Sequence, residues 1–303
     1  MLSLNPLVVY WSDLPLMKNQ RNTQKTWLIT GAARGFGLDI TMAALAAGDR
    51  VAATVRTKPD ELRAQFAGDP HFLVVVMDIT DESQVAGAIE QVTGQFGKID
   101  VLVNNAGYGL LSAVEEATDA EVKANFEVNV FGTLNVIRAV LPVMRQQRSG
   151  HIINISSLGG LGATAGWGLY GSTKFAIEGL TEALALELAP LGIHATVVAP
   201  GLFRTNFLDR SSLISSSKII PDYTETVGAM RNSAVRANYR QPGDPKKLAQ
   251  AFIKLAASEK PPVHLPLGKD AIKRYRAKIA AFDQDIENWF ETITGTDHSD
   301  TSI

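Results

Sequence analysis

The chain alternates short runs of β-branched and apolar residues with longer stretches in which apolar residues recur every three or four positions. The short runs predict strands, and the longer stretches predict amphipathic helices. The predicted strands are 27–30, 51–55, 72–77, 101–104, 151–155, 195–198 and 263–265. The predicted helices include 36–47, 81–96, 119–145, 170–188, 245–257 and 270–290. This alternation predicts an α/β fold in which a doubly wound, Rossmann-type parallel sheet of about seven strands carries helices on both faces.

Composition does not shift within this series, and 46% of the 303 residues are hydrophobic, which is enough for a large core. We therefore expect residues 26–303 to form a single domain. Residues 1–25 differ in composition and lack a basic start, so we interpret them as a tail or arm and not as a secretory signal. We also consider the hypothesis that Met17 is the natural start. The apolar run 7–11 is too short to span a bilayer.

Charge and reactive residues exclude several classes of function. A net charge of −2, from 29 basic and 31 acidic residues, gives no reason to expect nucleic acid or an anionic membrane surface as a partner. The chain has no cysteine, which fits a reducing compartment, and we expect a cytoplasmic protein. Its five histidines show no metal-ligand spacing, so we expect no metal site.

Tyr170 and Lys174 lie four residues apart at the start of a predicted helix, which places them on the same side, one turn apart. A unit charge ~4 Å from the phenol, at an effective dielectric of about 20, is worth about 4 kcal/mol, or roughly three pKa units. Such a pair can act as an acid or base near neutral pH. A tyrosine and lysine at this spacing are common by chance, however, so neighbouring motifs must decide.

The first predicted strand runs into a glycine-rich segment that starts at Thr30 and precedes a helix. Glycines here let the backbone turn tightly and approach a ligand, and the helix directs its first amides at a pyrophosphate. A glycine-rich turn without a ligand is the alternative. The cofactor-binding candidates in this segment are Gly31, Arg34, Gly35, Phe36 and Gly37.

The TGxxxGxG spacing of this segment, together with the Tyr170 and Lys174 pair, resembles the short-chain dehydrogenase/reductase family. The resemblance extends from residue 26 to about residue 205. Further matching positions are Asn105, Ala106 and Gly107 of an NNAG segment, Asn129, Ser157, and Pro200, Gly201 and Thr205 of a PGxxxT segment. Ser157 lies thirteen residues before Tyr170, the family's spacing for its catalytic serine, although Ser156 is an obvious competitor.

The resemblance implies hydride transfer between a nicotinamide and a carbonyl or alcohol carbon. Tyr170 would give or take the proton, and Lys174 would lower the pKa of Tyr170 and hold the ribose hydroxyls. Ser157 would donate a hydrogen bond to the oxygen on which charge develops. Asn129 would hold a water that links Lys174 to solvent.

For the cofactor, the resemblance predicts NADP(H). Members that prefer NAD are expected to carry an acidic residue at the end of the second strand, where this chain has Val55 followed by Arg56. A guanidinium pairs with a 2′-phosphate, and Arg34 would add a second positive contact. An arginine that is merely solvated is the alternative for Arg56. Asp78, followed by Ile79, resembles the family's adenine-binding aspartate, although Asp78 alone would pass as a helix cap.

The sequence says little about the substrate beyond a small-molecule carbonyl or alcohol. Residues 202–244 are interpreted as a mobile lid, and the glycine-rich segment 158–169 as a loop that faces the substrate. Helix 270–290 would cover the pocket or serve an interface, whereas helices 119–145 and 170–188 would, by resemblance, pair between the subunits of a homodimer or homotetramer. Five apolar residues would either line the pocket or pack ordinarily, namely Trp167, Leu169, Phe203, Phe207 and Leu208.

Two other functions remain open at this point. One is a catalytically idle, NADP-sensing binding protein on the same fold, which would be expected to lose the tyrosine or the lysine. The other is an epimerase or dehydratase, which would be expected to carry a larger C-terminal substrate domain.

Overall fold

Seven parallel strands form the central sheet in a computed structural model that describes residues 24–298. The strands of this sheet are β1 (Thr26–Ile29), β2 (Arg50–Val55), β3 (Phe72–Val76), β4 (Val101–Asn104), β6 (Gly150–Ile155), β7 (Ile193–Pro200) and β9 (His264–Leu267). Their order is β3-β2-β1-β4-β6-β7-β9, and every neighbouring pair is parallel. This confirms the predicted doubly wound sheet. Residues 1–23, which include most of the predicted tail and Met17, lie outside the described residues.

Helices connect the strands and cover both faces of the sheet. They are α1 (Gly35–Ala46), α2 (Pro59–Gln65), α3 (Glu82–Phe96), α4 (Asp119–Phe126), α5 (Thr133–Gln147), α6 (Leu158–Leu161), α7 (Gly168–Leu188), α8 (Ala229–Ala237), α9 (Pro245–Ala256), α10 (Lys269–Asn288) and α11 (Phe290–Thr294). Because successive side chains of a strand point to opposite faces, the strands feed two separate cores. Trp27 and Ile29 pack toward α1 and α9, whereas Leu28 packs toward α3, α5 and α7. Burial on both faces explains the nearly continuous apolar runs.

The direction of the chain places the functional residues at one edge of this sheet. After β1 the chain crosses to β2 on one side of it, and after β4 the chain crosses to β6 on the opposite side. A crevice therefore opens at the carboxyl ends of β1 and β4. The glycine-rich segment follows β1, the NNAG segment contains the end of β4, and Ser157 follows β6. Motifs that are far apart in sequence therefore meet at one crevice.

The predicted helix 119–145 is confirmed, and it runs from Asp119 to Gln147. A π-helical turn within it, Glu127–Gly132, separates α4 from α5 and contains Asn129. By length and composition, Asp119–Gln147 is apolar enough to cross a membrane. Its apolar residues Val136, Ile137 and Val140 are buried against the sheet, so packing in the core accounts for its hydrophobic character.

The predicted lid, 202–244, is structured, which corrects its interpretation as a loop. It contains α8 and strand β8 (Leu213–Ser215), which pairs in parallel with β5 (Gly109–Leu111). The buried carboxylate of Glu116 accepts a hydrogen bond from the backbone of Ile220 and forms an ion pair with Arg231. The hydrogen bond from Arg231 is the main reason that the pKa of Glu116 is lowered to about 2. These contacts fix the lid to the segment after β5.

Candidate active site

Tyr170 lies in the first turn of α7, buried beneath an aromatic cluster. Its ring centroid is 5.7 Å from that of Trp167 and 5.7 Å from that of Phe207, and the rings of Trp167 and Phe207 stack at 6.4 Å. A side chain at Gly109 would come within 3.1 Å of both Trp167 and Phe207, so a glycine is needed beneath the cluster. The phenol therefore faces an apolar, aromatic surface that Phe207 contributes from the lid.

The two adjacent serines have different surroundings. Ser157 forms a side-chain hydrogen bond with Tyr170, and its Oγ accepts the backbone N–H of Gly159 at 3.1 Å, which caps α6. Ser156 is buried on the other side of the chain, where its hydroxyl lies 3.5 Å from the carbonyl oxygen of Lys174. The structure thus brings Ser157, and not Ser156, to the phenol. The loop predicted for 158–169 begins with α6.

Lys174 is buried beside Tyr170, with its Nζ 5.7 Å from the centre of the phenol ring. The Nζ donates a hydrogen bond to the carbonyl oxygen of Ile155 at 2.9 Å. Burial lowers the pKa of Lys174 to about 8, an effect that nearby Glu178 opposes. Burial also raises the pKa of Tyr170 to about 12, and the hydrogen bond with Ser157 acts in the opposite direction.

The ammonium of Lys174 donates to a backbone carbonyl oxygen, and burial is the largest influence on the pKa of the phenol, so a lowering of that pKa by Lys174 stays a prediction. The phenol is therefore protonated at neutral pH and suited to donate a proton.

Asn129 is buried in the π-helical turn and is held from three sides. Its Oδ1 accepts the backbone N–H of Tyr108 at 3.0 Å, and its Nδ2 donates to the Tyr108 carbonyl oxygen at 3.0 Å and to Thr173 Oγ1 at 3.1 Å. The Thr173 hydroxyl in turn donates to the carbonyl oxygen of Tyr170. The side-chain amide thus links the segment after β4 to α7. No pattern in the sequence pointed to Thr173, which lies between Tyr170 and Lys174.

The glycine-rich segment turns between β1 and α1 with Gly31 at φ +65° and Gly35 at φ +55°, a region that favours glycine. At Gly37 a side chain would lie only 2.6 Å from both Asn105 Nδ2 and the Gly31 carbonyl oxygen. No side chain caps α1, and its first turn contains no acidic residue, so its first N–H groups are open to an anion. These features fit a pyrophosphate.

The NNAG segment packs directly against this turn. The hydroxyl of Thr30 accepts the backbone N–H groups of Asn105 and Ala106, and Asn105 Nδ2 donates to the carbonyl oxygens of Thr30 and Gly31. Gly107 is exposed beside the site, and a side chain there would meet Asn129 and approach Lys174 Nζ at 3.8 Å. The small residues keep a passage open between the glycine-rich turn and Lys174.

The residues predicted to select the cofactor are not equally available. Arg56 is exposed directly after β2, whereas the guanidinium of Arg34 donates to the Ser211 carbonyl oxygen at 2.7 Å and to Ser212 Oγ at 3.1 Å in the lid. Asp78 is half-buried, and its Oδ1 accepts the backbone N–H and hydroxyl of Thr80.

The helix cap before α3 is Asp81, so the interpretation of Asp78 as a cap is wrong. Ile79, which follows it, is buried against Gly132 in the π-helical turn. The structure therefore places Asp78 just after β3 and fixes its neighbour in the core.

The PGxxxT segment is held by the start of α10. A side chain at Gly201 would lie 2.0 Å from the Asp270 carboxylate, and that carboxylate accepts the backbone N–H of Leu202 at 2.6 Å. Pro200 ends β7, and Thr205 caps the short turn Asn206–Leu208. Asp270 was missed by sequence reasoning, although its position at the start of a predicted helix was visible.

The five predicted pocket residues do not share one environment. Trp167 and Phe207 contact Tyr170, as described above, whereas Phe203 packs edge-to-face on Phe36 at 5.5 Å beside the core around α1. Phe203 is therefore a packing residue, and Phe36 supports the lid. Leu169 and Leu208 are half-buried.

Within residues 24–298, the structure contains no group of three or more histidine, aspartate or glutamate side chains that could hold a metal ion.

Residues 25–213 match the model of the short chain dehydrogenase family. A 3-ketodihydrosphingosine reductase from Bacteroides thetaiotaomicron is 39% identical over 242 residues, which cover 80% of this chain and 87% of the relative. A crystal structure of a short-chain dehydrogenase from Streptomyces avermitilis is 40% identical, with a TM-score of 0.84 over 91% of this chain and 100% of that chain. The structure of ElxO with NADP bound is 28% identical, with a TM-score of 0.69 over 83% of this chain and 100% of that chain.

The sheet order, the crevice and these matches agree on one assignment. The chain belongs to the short-chain dehydrogenase/reductase family. It is an oxidoreductase of that family.

Proposed function

We propose that the protein is an NADP(H)-dependent reductase of carbonyl compounds that carry an apolar group, and that Tyr170 is its proton donor. One observation carries the proposal: the buried, protonated phenol of Tyr170 is hydrogen-bonded to Ser157 and covered by Trp167 and Phe207. The phenol marks where a carbonyl oxygen would lie, and the two aromatic rings favour an apolar group attached to it. The 3-ketodihydrosphingosine reductase among the relatives fits such a substrate class.

The bound nicotinamide would supply the hydride, and the protein would supply orientation and the proton. As negative charge develops on the carbonyl oxygen, Ser157 Oγ would donate a hydrogen bond to it and Tyr170 would give up its phenolic proton. Proton transfer from a phenol with a pKa of about 12 to an alkoxide is favourable, because the alkoxide is a stronger base than the phenolate. Lys174 would hold the ribose hydroxyls with the N–H groups that Ile155 does not use.

The phosphate-binding residues support NADP(H) as the cofactor. The uncapped start of α1 fits the pyrophosphate, and the exposed guanidinium of Arg56, directly after β2, would pair with a 2′-phosphate. Arg34 would join only by exchanging its hydrogen bonds to Ser211 and Ser212, so it connects cofactor binding to the lid. The NADP-bound structure of ElxO is consistent with this choice.

A homo-oligomer is part of the proposal. The helices expected to pair between subunits carry exposed apolar side chains, with Phe131 in the π-helical turn 50% exposed and Leu186 in α7 80% exposed. Pairing of these helices between subunits, which the family resemblance leads us to expect, would cover both side chains.

The test is NADPH oxidation against a panel of aldehydes, ketones and quinones of increasing apolar chain length, compared for the wild type and Tyr170→Phe. We expect turnover to increase with apolar substituents, and Tyr170→Phe to lower kcat by about 10²–10⁴-fold, as loss of a positioned acid does. Binding of NADPH to Tyr170→Phe, measured by fluorescence, should persist and shows that the variant is folded. Normal turnover by Tyr170→Phe would refute the mechanism. NADPH binding by the wild type without turnover on any substrate would favour the idle binding protein.

A further inference from the structure

The C-terminal helix α10 exposes an apolar seam that its own chain does not cover. Its contacts with the rest of the chain lie near its start. There Ala271 is buried, Arg274 donates a hydrogen bond to the Ala163 carbonyl oxygen, and Lys278 Nζ lies 4.2 Å from the centre of the Phe175 ring. Beyond residue 278 all side chains of α10 are exposed except Ile286, which is half-buried. The second half of the helix therefore extends away from the sheet.

Apolar residues of α10 follow the spacing of a coiled coil. Along the helix the intervals are three, four, three and four residues. The positions are Ile272, Tyr275, Ile279, Phe282 and Ile286, of which only Ile286 is half-buried, and Trp289 follows directly after the helix ends at Asn288. Alternating intervals of three and four keep a narrow stripe on one side of a helix, the a and d positions that pair with a second helix. An ordinary surface helix shows its apolar stripe toward its own core, whereas this one is turned away from it.

The charges of α10 are divided between its two halves. Five basic residues and one acidic residue lie in 269–278, whereas residues 279–288 contain three acidic residues and no basic one. The basic residues are Lys269, Lys273, Arg274, Arg276 and Lys278, and the acidic residues of the second half are Asp283, Asp285 and Glu287. Within residues 24–298, no ion pair is formed by Arg276 or Asp283.

We propose that α10 pairs in antiparallel orientation with α10 of a second copy of this chain, around a two-fold axis between Ile279 and Phe282. In this arrangement Ile279 packs on Phe282 of the second copy, and Tyr275 packs on Ile286. The basic half of each helix lies along the acidic half of the other, and Arg276 faces Asp283. A parallel pair would place like charges side by side along both halves.

The exposed apolar area reaches the lower limit for a specific contact. Tyr275, Phe282 and Trp289 are 47%, 62% and 63% exposed. With about 200 Å² for each aromatic side chain, they leave roughly 340 Å² per chain to be covered. Two copies together with Ile272 and Ile279 reach about 1,000 Å², the lower limit for a specific interface. An anionic membrane surface fits less well, because Phe282 lies in the acidic half and Trp289 directly after it.

The first experiment measures association of the full chain by sedimentation. Phe282→Lys should raise the dissociation constant of this pairing at least about 30-fold, because a charge replaces an apolar contact twice in the dimer. Val235→Lys is the matched control, since it places the same charge at an exposed apolar site on α8, outside both expected interfaces, and should leave association unchanged. Unchanged association in Phe282→Lys would overturn the proposal.

The second experiment tests the orientation. Arg276→Asp should weaken association. The double variant Arg276→Asp with Asp283→Arg should restore it, because the two charges exchange places and opposite charges still face each other. The chain has no cysteine, so Arg276→Cys with Asp283→Cys introduces the only thiols. Residues seven apart on one helix are about 10 Å apart and cannot form a disulfide with each other. Oxidation should therefore give a disulfide-linked dimer with the double-cysteine variant and little with either single variant.

Other occupants of the seam give different results. If residues 1–23 of the same chain cover it, their deletion would increase association through α10, whereas we expect no change. If a membrane covers it, the wild type would bind phosphatidylglycerol vesicles and Phe282→Lys would lose that binding without a change in sedimentation. Either outcome would overturn the proposal.

Discussion

The two adjacent serines provide a sharp test of the proposed chemistry. Ser157 and Ser156 are chemically identical neighbours, but only Ser157 reaches Tyr170. We predict that Ser157→Ala lowers kcat for carbonyl reduction by about 10²–10³-fold, the cost of removing one donor to a developing oxyanion, or about 3–4 kcal/mol. Ser156→Ala should leave kcat within about threefold of the wild type, because the Ser156 hydroxyl faces the carbonyl oxygen of Lys174 and not the phenol of Tyr170.

Both variants should cost similar amounts of stability, which makes them a matched pair. Ser157→Ala removes the cap of α6, a loss of about 0.5–2 kcal/mol in the free energy of unfolding. Ser156→Ala removes a long hydrogen bond from a buried hydroxyl, a loss of about 0.5–1.5 kcal/mol. Thermal unfolding of the two should therefore shift by a few degrees at most, so a difference in kcat cannot be a difference in folding.

The assay is steady-state NADPH oxidation with the best substrate of the panel, with KM and kcat measured separately. A loss in kcat at nearly constant KM for NADPH is expected for Ser157→Ala, since the hydrogen bond strengthens only in the transition state. Equal losses in the two alanine variants, or a larger loss in Ser156→Ala, would show that the geometry at Tyr170 has been misread.

Two further predictions concern the cofactor and the pH dependence. Arg56→Ala should raise KM for NADPH by about 10–100-fold and KM for NADH by less than about threefold, because only NADPH carries the 2′-phosphate; equal effects on both would contradict the assignment. Since burial lowers the pKa of Lys174 to about 8 and raises that of Tyr170 to about 12, the ammonium is present below about pH 8 and is lost above it, while the phenol keeps its proton. The kcat/KM for reduction should therefore be constant near neutral pH and fall as pH rises through about 8, and a profile that stays flat to about pH 10 would exclude a role for the Lys174 charge.

Much of the fold was predictable because it depends on local patterns. Val101–Asn104 was predicted with its observed bounds, and the other strands of the central sheet agree within one or two residues at nearly every end. Apolar runs bounded by turns identify buried parallel strands whatever their neighbours are. The glycine-rich segment was predictable for the same reason, since Gly31 and Gly35 adopt a backbone conformation that few other residues tolerate.

The lid was predicted less well. Its strand β8 has only three residues and exists because it pairs with β5, about a hundred residues earlier. Arg231 is ordered by Glu116, another distant partner. Neither partner can be seen from the local sequence, so the region reads as a loop.

The sequence by itself therefore determined the strands of a doubly wound parallel sheet, the glycine-rich turn and the set of residues able to do the chemistry. Only the tertiary structure decided between Ser157 and Ser156, because consecutive residues in an extended segment point to opposite sides and the position of α7 determines which side contains the phenol. It likewise distinguished Phe207, which packs on Tyr170, from Phe203, which packs on Phe36. It also showed that the apolar face of α10 is uncovered, since periodicity identifies an apolar stripe but not what lies against it.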